Sequence, residues 1–141
     1  MYRLIWSRIK EVRFMEIKPR ISETDMLGHI NNASYFVYME EARLTFLKEL
    51  GMHVSNGEFT FVLVSTKCNF VRQGYVGQVF DVQTDVSHIG RTSLTLISEI
   101  AEKESGKIIA KGEATIVYFD TVYQRAAELP DSFRVKLKAN T

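Results

Sequence analysis

The sequence predicts an α+β fold in which one long helix lies against a curved antiparallel sheet, and three observations predict it. A single long helical pattern occupies residues 33–50. Strand patterns separated by short glycine-containing turns follow it, and consecutive hairpins after one helix argue an antiparallel sheet with the helix on one face. Several of these strands exceed the usual length of about five to six residues, so the twisted sheet should curl around the helix.

In chain order, residues 1–10 (MYRLIWSRIK) mix apolar side chains with Arg3, Arg8 and Lys10 and read as a short amphipathic extension, too short and too charged to span a bilayer. Residues 11–21 carry β-branched and aromatic residues interrupted by Pro19, which suits an edge strand that ends or bulges there. In the helical segment Tyr35, Met39, Ala42, Phe46 and Leu50 recur at three- and four-residue spacing. Its first turns are apolar all round, so that end should be wrapped by other structure. Asn31 or Asn32 is placed to cap the first turn, and Gly51 to end the helix in a left-handed conformation. Residues 59–71 then read as a long strand with a buried centre. Residues 79–87 alternate Phe80, Val82, Thr84 and Val86 with polar neighbours, as a half-buried strand does. Turns at Gly90 and Gly106 bound a strand carrying Leu94, Leu96 and Ile100, and Ala110, Gly112, Ala114, Ile116 and Tyr118 form one face of the last long strand. Pro130, Asp131 and Ser132 open a short terminal helix with Phe133 and Leu137.

At 141 residues the chain matches one domain, and 45% hydrophobic with 25% charged residues is the composition of a soluble globular protein. A formal net charge of +1 offers no broad basic field for nucleic acid, and membrane insertion is not expected. The lone Cys68 excludes an internal disulfide and suits a reducing cytoplasm, while three scattered histidines argue against a structural zinc site. Long apolar strand edges invite pairing with a second copy, so a homodimer is expected.

Chemistry concentrates just before the helix. Asp25 precedes Gly28, His29, Asn31 and Asn32, so a carboxylate stands beside a helix N-terminus, whose free N–H groups and dipole favour negative charge. By itself Asp25 reads equally as a loop acid capping a turn, and Asn31 and Asn32 as plain helix caps.

Thr24, Asp25, Gly28, His29, Ile30, Asn31, Asn32 and Tyr35, then Glu40, Glu41, Ala42 and Arg43, stand in an order that resembles the hotdog-fold acyl-CoA thioesterases, in the branch similar to 4-hydroxybenzoyl-CoA thioesterase. Asn69 and Phe70 followed by Gly74 and Gly77, the turn at residues 89–93, and Gly112 with Asp120 extend the resemblance from about Val12 to about Pro130. The resemblance implies a single hotdog domain over residues 1–141, assembly as a homodimer or homotetramer, and hydrolysis of thioesters of coenzyme A or acyl carrier protein without a metal or cofactor. It implies that Asp25 is the catalytic base or nucleophile, with His29, Asn31 and Asn32 beside it. Backbone N–H groups around Asn32 and Ala33 would stabilise the oxyanion. Gly28, Tyr35, Phe61, Arg72, Arg91, Thr92 and Ser93 are the candidate substrate contacts, the arginines for phosphate groups of coenzyme A. A non-catalytic acyl-CoA binder remains an alternative. A hotdog dehydratase is disfavoured, because Ile30 and Asn31, rather than a motif with proline, follow His29.

Overall fold

The computed structural model describes residues 14–139, so the extension expected at residues 1–10 lies outside the described residues. Strand β1 (Phe14–Ile17) stops short of Pro19 and lies at one edge of the sheet, the position expected for it. A 3-10 turn at Ile21–Glu23, which no sequence pattern announced, leads into the Asp25 loop. Helix α1 (Asn32–Glu49) begins one residue earlier than expected and runs about 27 Å at the usual helical rise. The Asn31 side chain accepts from the Ala33 N–H at 3.0 Å and so caps it, and Gly51 past its end has φ 75°.

Strands β2 (Phe59–Phe70), β3 (Phe80–Ile89), β4 (Ser93–Glu102) and β5 (Ile108–Asp120) follow, then a two-residue β6 (Arg125–Ala126) and helix α2 (Asp131–Lys138). The order across the antiparallel sheet is β1-β3-β4-β5-β2, with β6 also on β5. Thus β3, β4 and β5 form the expected meander. The β2–β3 connection is not a hairpin: β2 crosses to the far edge and pairs with β5, from Phe59 opposite Asp120 to Phe70 opposite Ala110.

That placement corrects two expectations. The centre of β2 is not buried in one protomer, and Val64 is 57% exposed, because an edge strand beyond the helix is covered by nothing there. The first turns of α1 are not wrapped all round either. Tyr35, Tyr38 and Met39 pack on the sheet, whereas Val37 faces outward, since the sheet covers only one side of the helix. The core lies between α1 and the concave face of the sheet. One group joins Tyr35, Met39 and Ala42 to Phe80, Val82, Ile100 and Ala110. A second joins Phe46 and Leu47 to Leu94, Leu96, Ile116 and the α2 residues Phe133 and Leu137. No helix among the described residues is long and apolar enough to cross a membrane.

Candidate active site

Asp25 occupies a short loop pinned at both ends. Its backbone N–H donates to the His29 carbonyl at 2.7 Å, and the Ile30 N–H donates to the Gly74 carbonyl at 2.9 Å. Gly28 closes the turn with φ 81°, a conformation that glycine adopts without strain. Within the loop Asp25 Oδ1 accepts from the Leu27 N–H at 2.8 Å and the His29 N–H at 3.1 Å. The turn-capping role open to an aspartate in this position is therefore filled by one oxygen, and the carboxylate has a fixed direction. The other oxygen, Oδ2, faces His29 Nδ1 at 3.9 Å, too far for a hydrogen bond. The Asp25 side chain is 39% exposed and that of His29 26% exposed.

His29 is steadied from outside the loop. Its backbone bridges to Tyr75, and the two rings meet edge-on with centroids 5.1 Å apart. At the helix start Asn31 and Asn32 are both exposed, so the helix terminus expected to be buried is open in one protomer. The Asn31 side chain is spent on the cap, and the Ala33 N–H it engages is no longer free to meet an oxyanion. The Asn32 N–H, by contrast, has no protein partner among the described residues.

The remaining sequence candidates divide between the two ends of the sheet. Arg72 lies at the Asp25 end, its Nη1 donating to the Ile108 carbonyl at 3.3 Å. Tyr35 lies there too, but it is a core residue, 2% exposed, ringed by Tyr38, Phe70 and Phe80. Burial pushes its phenol pKa up, opposed by the neighbouring Gly74 backbone. Phe61, Arg91, Thr92 and Ser93 lie at the other end. Phe61 packs on Tyr118 and Phe133. Arg91 pairs with Glu128 at 3.1 Å, and the carbonyls of Gly90 and Arg91 accept from Arg134. The whole of β4, ten residues, separates Ser93 from Glu102 at the Asp25 end, about 30 Å at the usual strand rise. One protomer therefore does not bring Arg91 or Phe61 to Asp25. Sequence reasoning also missed Tyr75 and the Gln78–Glu102 contact beneath it, because neither lies in a local pattern that points at Asp25. Among the described residues no group of three or more His, Cys, Asp or Glu side chains is placed to hold a metal ion.

The model of the thioesterase-like superfamily matches residues 19–137, which includes the Asp25 loop, α1 and every strand from β2 to β6. The chain belongs to the thioesterase-like superfamily. Its fold is the hotdog of that superfamily, a long helix against a curved, open antiparallel sheet. A solved structure described as a predicted thioesterase from Bacillus stearothermophilus superposes with a TM-score of 0.81 at 35% identity, covering 91% of this chain and 95% of that one. The long-chain acyl-CoA thioesterase FadM of Escherichia coli (strain K12) is 26% identical over 125 residues, 87% of this chain and 95% of FadM. The uncharacterized protein YsmA of Bacillus subtilis (strain 168) is 37% identical over 83 residues, 59% of this chain and 56% of YsmA. The chain thus matches little more than half the length of that relative.

Proposed function

We propose that this superfamily member is an acyl-CoA thioesterase whose residues 1–141 act as one hotdog domain in the cytoplasm. The observation that carries the reading is the Asp25 carboxylate, held by two backbone N–H groups through Oδ1 while Oδ2, 3.9 Å from His29 Nδ1, accepts no hydrogen bond among the described residues. The likeness to FadM across most of both chains supports an acyl-CoA substrate.

In the general-base form of the reaction, Oδ2 of Asp25 takes a proton as water attacks the thioester carbonyl. The developing oxyanion meets the Asn32 N–H at the positive end of α1. The C–S bond then breaks, the free acid forms, and the proton passes to the departing thiolate. In the nucleophilic form Oδ2 attacks the carbonyl itself and the C–S bond breaks to expel the thiolate; water then hydrolyses the resulting mixed anhydride to the free acid, restoring the Asp25 carboxylate and supplying the proton that the thiolate takes up. His29, anchored by Tyr75, and Gly28 shape the approach to that oxygen. No metal or cofactor takes part in either form.

The acting species in this reading is at least a homodimer. Beyond Phe61 the outer edge of β2 pairs with nothing among the described residues, and Val62, Leu63 and Val64 are exposed along it. Antiparallel pairing of two such edges around a two-fold axis reverses one sheet against the other. It would carry the partner's Phe61 and Arg91–Ser93 end toward the Asp25 end, where a single protomer lacks them. The test is thiol release from acyl-CoAs of graded chain length and aromaticity, with the acid product measured in parallel. Equimolar thiol and acid are expected. Tight binding of acyl-CoA without turnover would instead establish a non-catalytic binder.

A further inference from the structure

We propose that Glu23 is a positioning residue for the Asp25 carboxylate, holding the Asp25 loop in a set place against the first two turns of α1. This rests on the thioesterase reading for the reaction that the placement serves. Glu23 lies two residues before Asp25, at the end of the 3-10 turn Ile21–Glu23, and is half-buried.

The loop's own bonds fix its shape more than its place. Residues 23–31 form a tight hairpin, in which the Asp25 N–H donates to the His29 carbonyl at 2.7 Å and the Asn31 N–H donates to the Glu23 carbonyl at 2.8 Å to close the base. Its second arm is anchored twice. Ile30 and His29 are tied to the β2–β3 connection through Gly74 and Tyr75, and Asn31 runs directly into α1. The first arm, which carries Asp25, meets α1 through Glu23.

Two side chains of α1 grip Glu23, one by its backbone and one by its carboxylate. The Ser34 O–H donates to the Glu23 carbonyl at 3.2 Å, and the Tyr38 O–H donates to Oε1 at 2.9 Å. Ser34 and Tyr38 are four residues apart and so share one face of the helix. The same Oε1 accepts the Arg20 backbone N–H at 2.7 Å, so the carboxylate is held from the turn and from the helix at once. The Arg20 bond alone is ordinary capping of a short turn. The Tyr38 bond spans 15 residues and has no such local use.

Tyr38 is a firm anchor for this purpose. It is 2% exposed, and its ring meets Tyr35 and Phe80 edge-on with centroids 6.0 and 6.2 Å away. Burial and then the Glu23 hydrogen bond push its phenol pKa up, so the hydroxyl stays protonated and keeps donating. Placement matters because the proposed reaction needs two groups on one thioester carbonyl, Oδ2 of Asp25 from the loop and the Asn32 N–H from the helix start. Glu23 joins the first to the second, and a misplacement of about 1 Å can cost on the order of 100-fold in rate.

The test compares native protein with Tyr38→Phe, Glu23→Ala, Glu23→Gln and the double variant Tyr38→Phe, Glu23→Ala, at equal folded concentration on acyl-CoA. Expected is a fall of about tenfold in kcat for Glu23→Ala and for Tyr38→Phe, with KM changed by less than about twofold. Glu23→Gln keeps the Oε1 acceptor and should retain most of kcat. The double variant should be little slower than Glu23→Ala, because both substitutions remove one hydrogen bond. Native kcat in the single variants, a Glu23→Gln as slow as Glu23→Ala, or losses that multiply in the double variant would overturn the proposal. Hydrogen exchange of the Asn31 N–H, which closes the hairpin on the Glu23 carbonyl, reads the same tie without turnover. It should quicken about tenfold in Glu23→Ala and Tyr38→Phe while the β4 amides exchange as in native protein. Unchanged exchange at Asn31 overturns the proposal whether or not the protein is active. Quickened exchange in a protein that hydrolyses nothing would keep the hold of Glu23 on the loop and discard the thioesterase reading.

Discussion

In the proposed reaction Asp25 would serve a loop and the chemistry together, because Oδ1 alone accepts the Leu27 and His29 N–H groups and Oδ2 would be left to act. Asn keeps the acceptor that receives the Leu27 and His29 N–H groups and removes the charge, so Asp25→Asn tests chemistry with little effect on the loop. Gly74 shows the opposite case, a residue that matters only for space. A Cβ there would stand 2.5 Å from the Tyr35 hydroxyl oxygen and 2.7 Å from the Phe80 ring, and both rings are locked in the core. Gly74→Ala should therefore destabilise the protein by about 1–3 kcal/mol, the usual cost of overpacking. Urea unfolding checks it, and an unchanged midpoint would contradict the packing described. Asp-x-x-Gly turn chemistry and Asn capping were legible from residue types alone. That Asn31 rather than Asn32 caps the helix was not, because the choice depends on where the loop enters, and the loop is fixed by Gly74 and Glu23 from elsewhere in the chain.

Among the elements, α1 was legible almost to the residue, because its apolar spacing, its cap and Gly51 all agree. Asn31→Ala should cost the protein about 1 kcal/mol, the typical value of an N-cap, measured as a lower unfolding midpoint. No loss would mean that Ser34 or water replaces the cap without penalty. Strands β3, β4 and β5 were readable for the same reason, since alternation against a core leaves a periodic trace. Strand β2 was read as buried, and the error is instructive. An apolar strand looks the same whether a helix or a second molecule covers it. The crossover that carries β2 to the far edge beyond β5 is what takes it away from the helix. The two-residue β6 and the 3-10 turn are too short to leave any period.

For the whole molecule, the polarity of the sheet organises function. Asp25 and Arg72 gather at one end, Phe61 and the Arg91 turn at the other, and a local motif carries no mark of the end to which it belongs. In the proposed dimer the open β2 edge would join the two ends through a second copy. The double substitution Val62→Lys, Val64→Lys places charge along that edge, as many proteins do to prevent edge pairing. Sedimentation should show the native protein as a dimer or larger and the variant as a monomer. A native monomer, or a variant of unchanged mass, would remove the two-copy arrangement.

Thioester hydrolysis in the proposed reaction depends on Asp25. Thiol release from the best acyl-CoA substrate, followed for native protein and Asp25→Asn at equal folded concentration, measures this. The predicted result is rapid release by the native protein and a fall of at least ~100-fold in the variant, the scale of losing a general base. Release at the native rate by Asp25→Asn would contradict it.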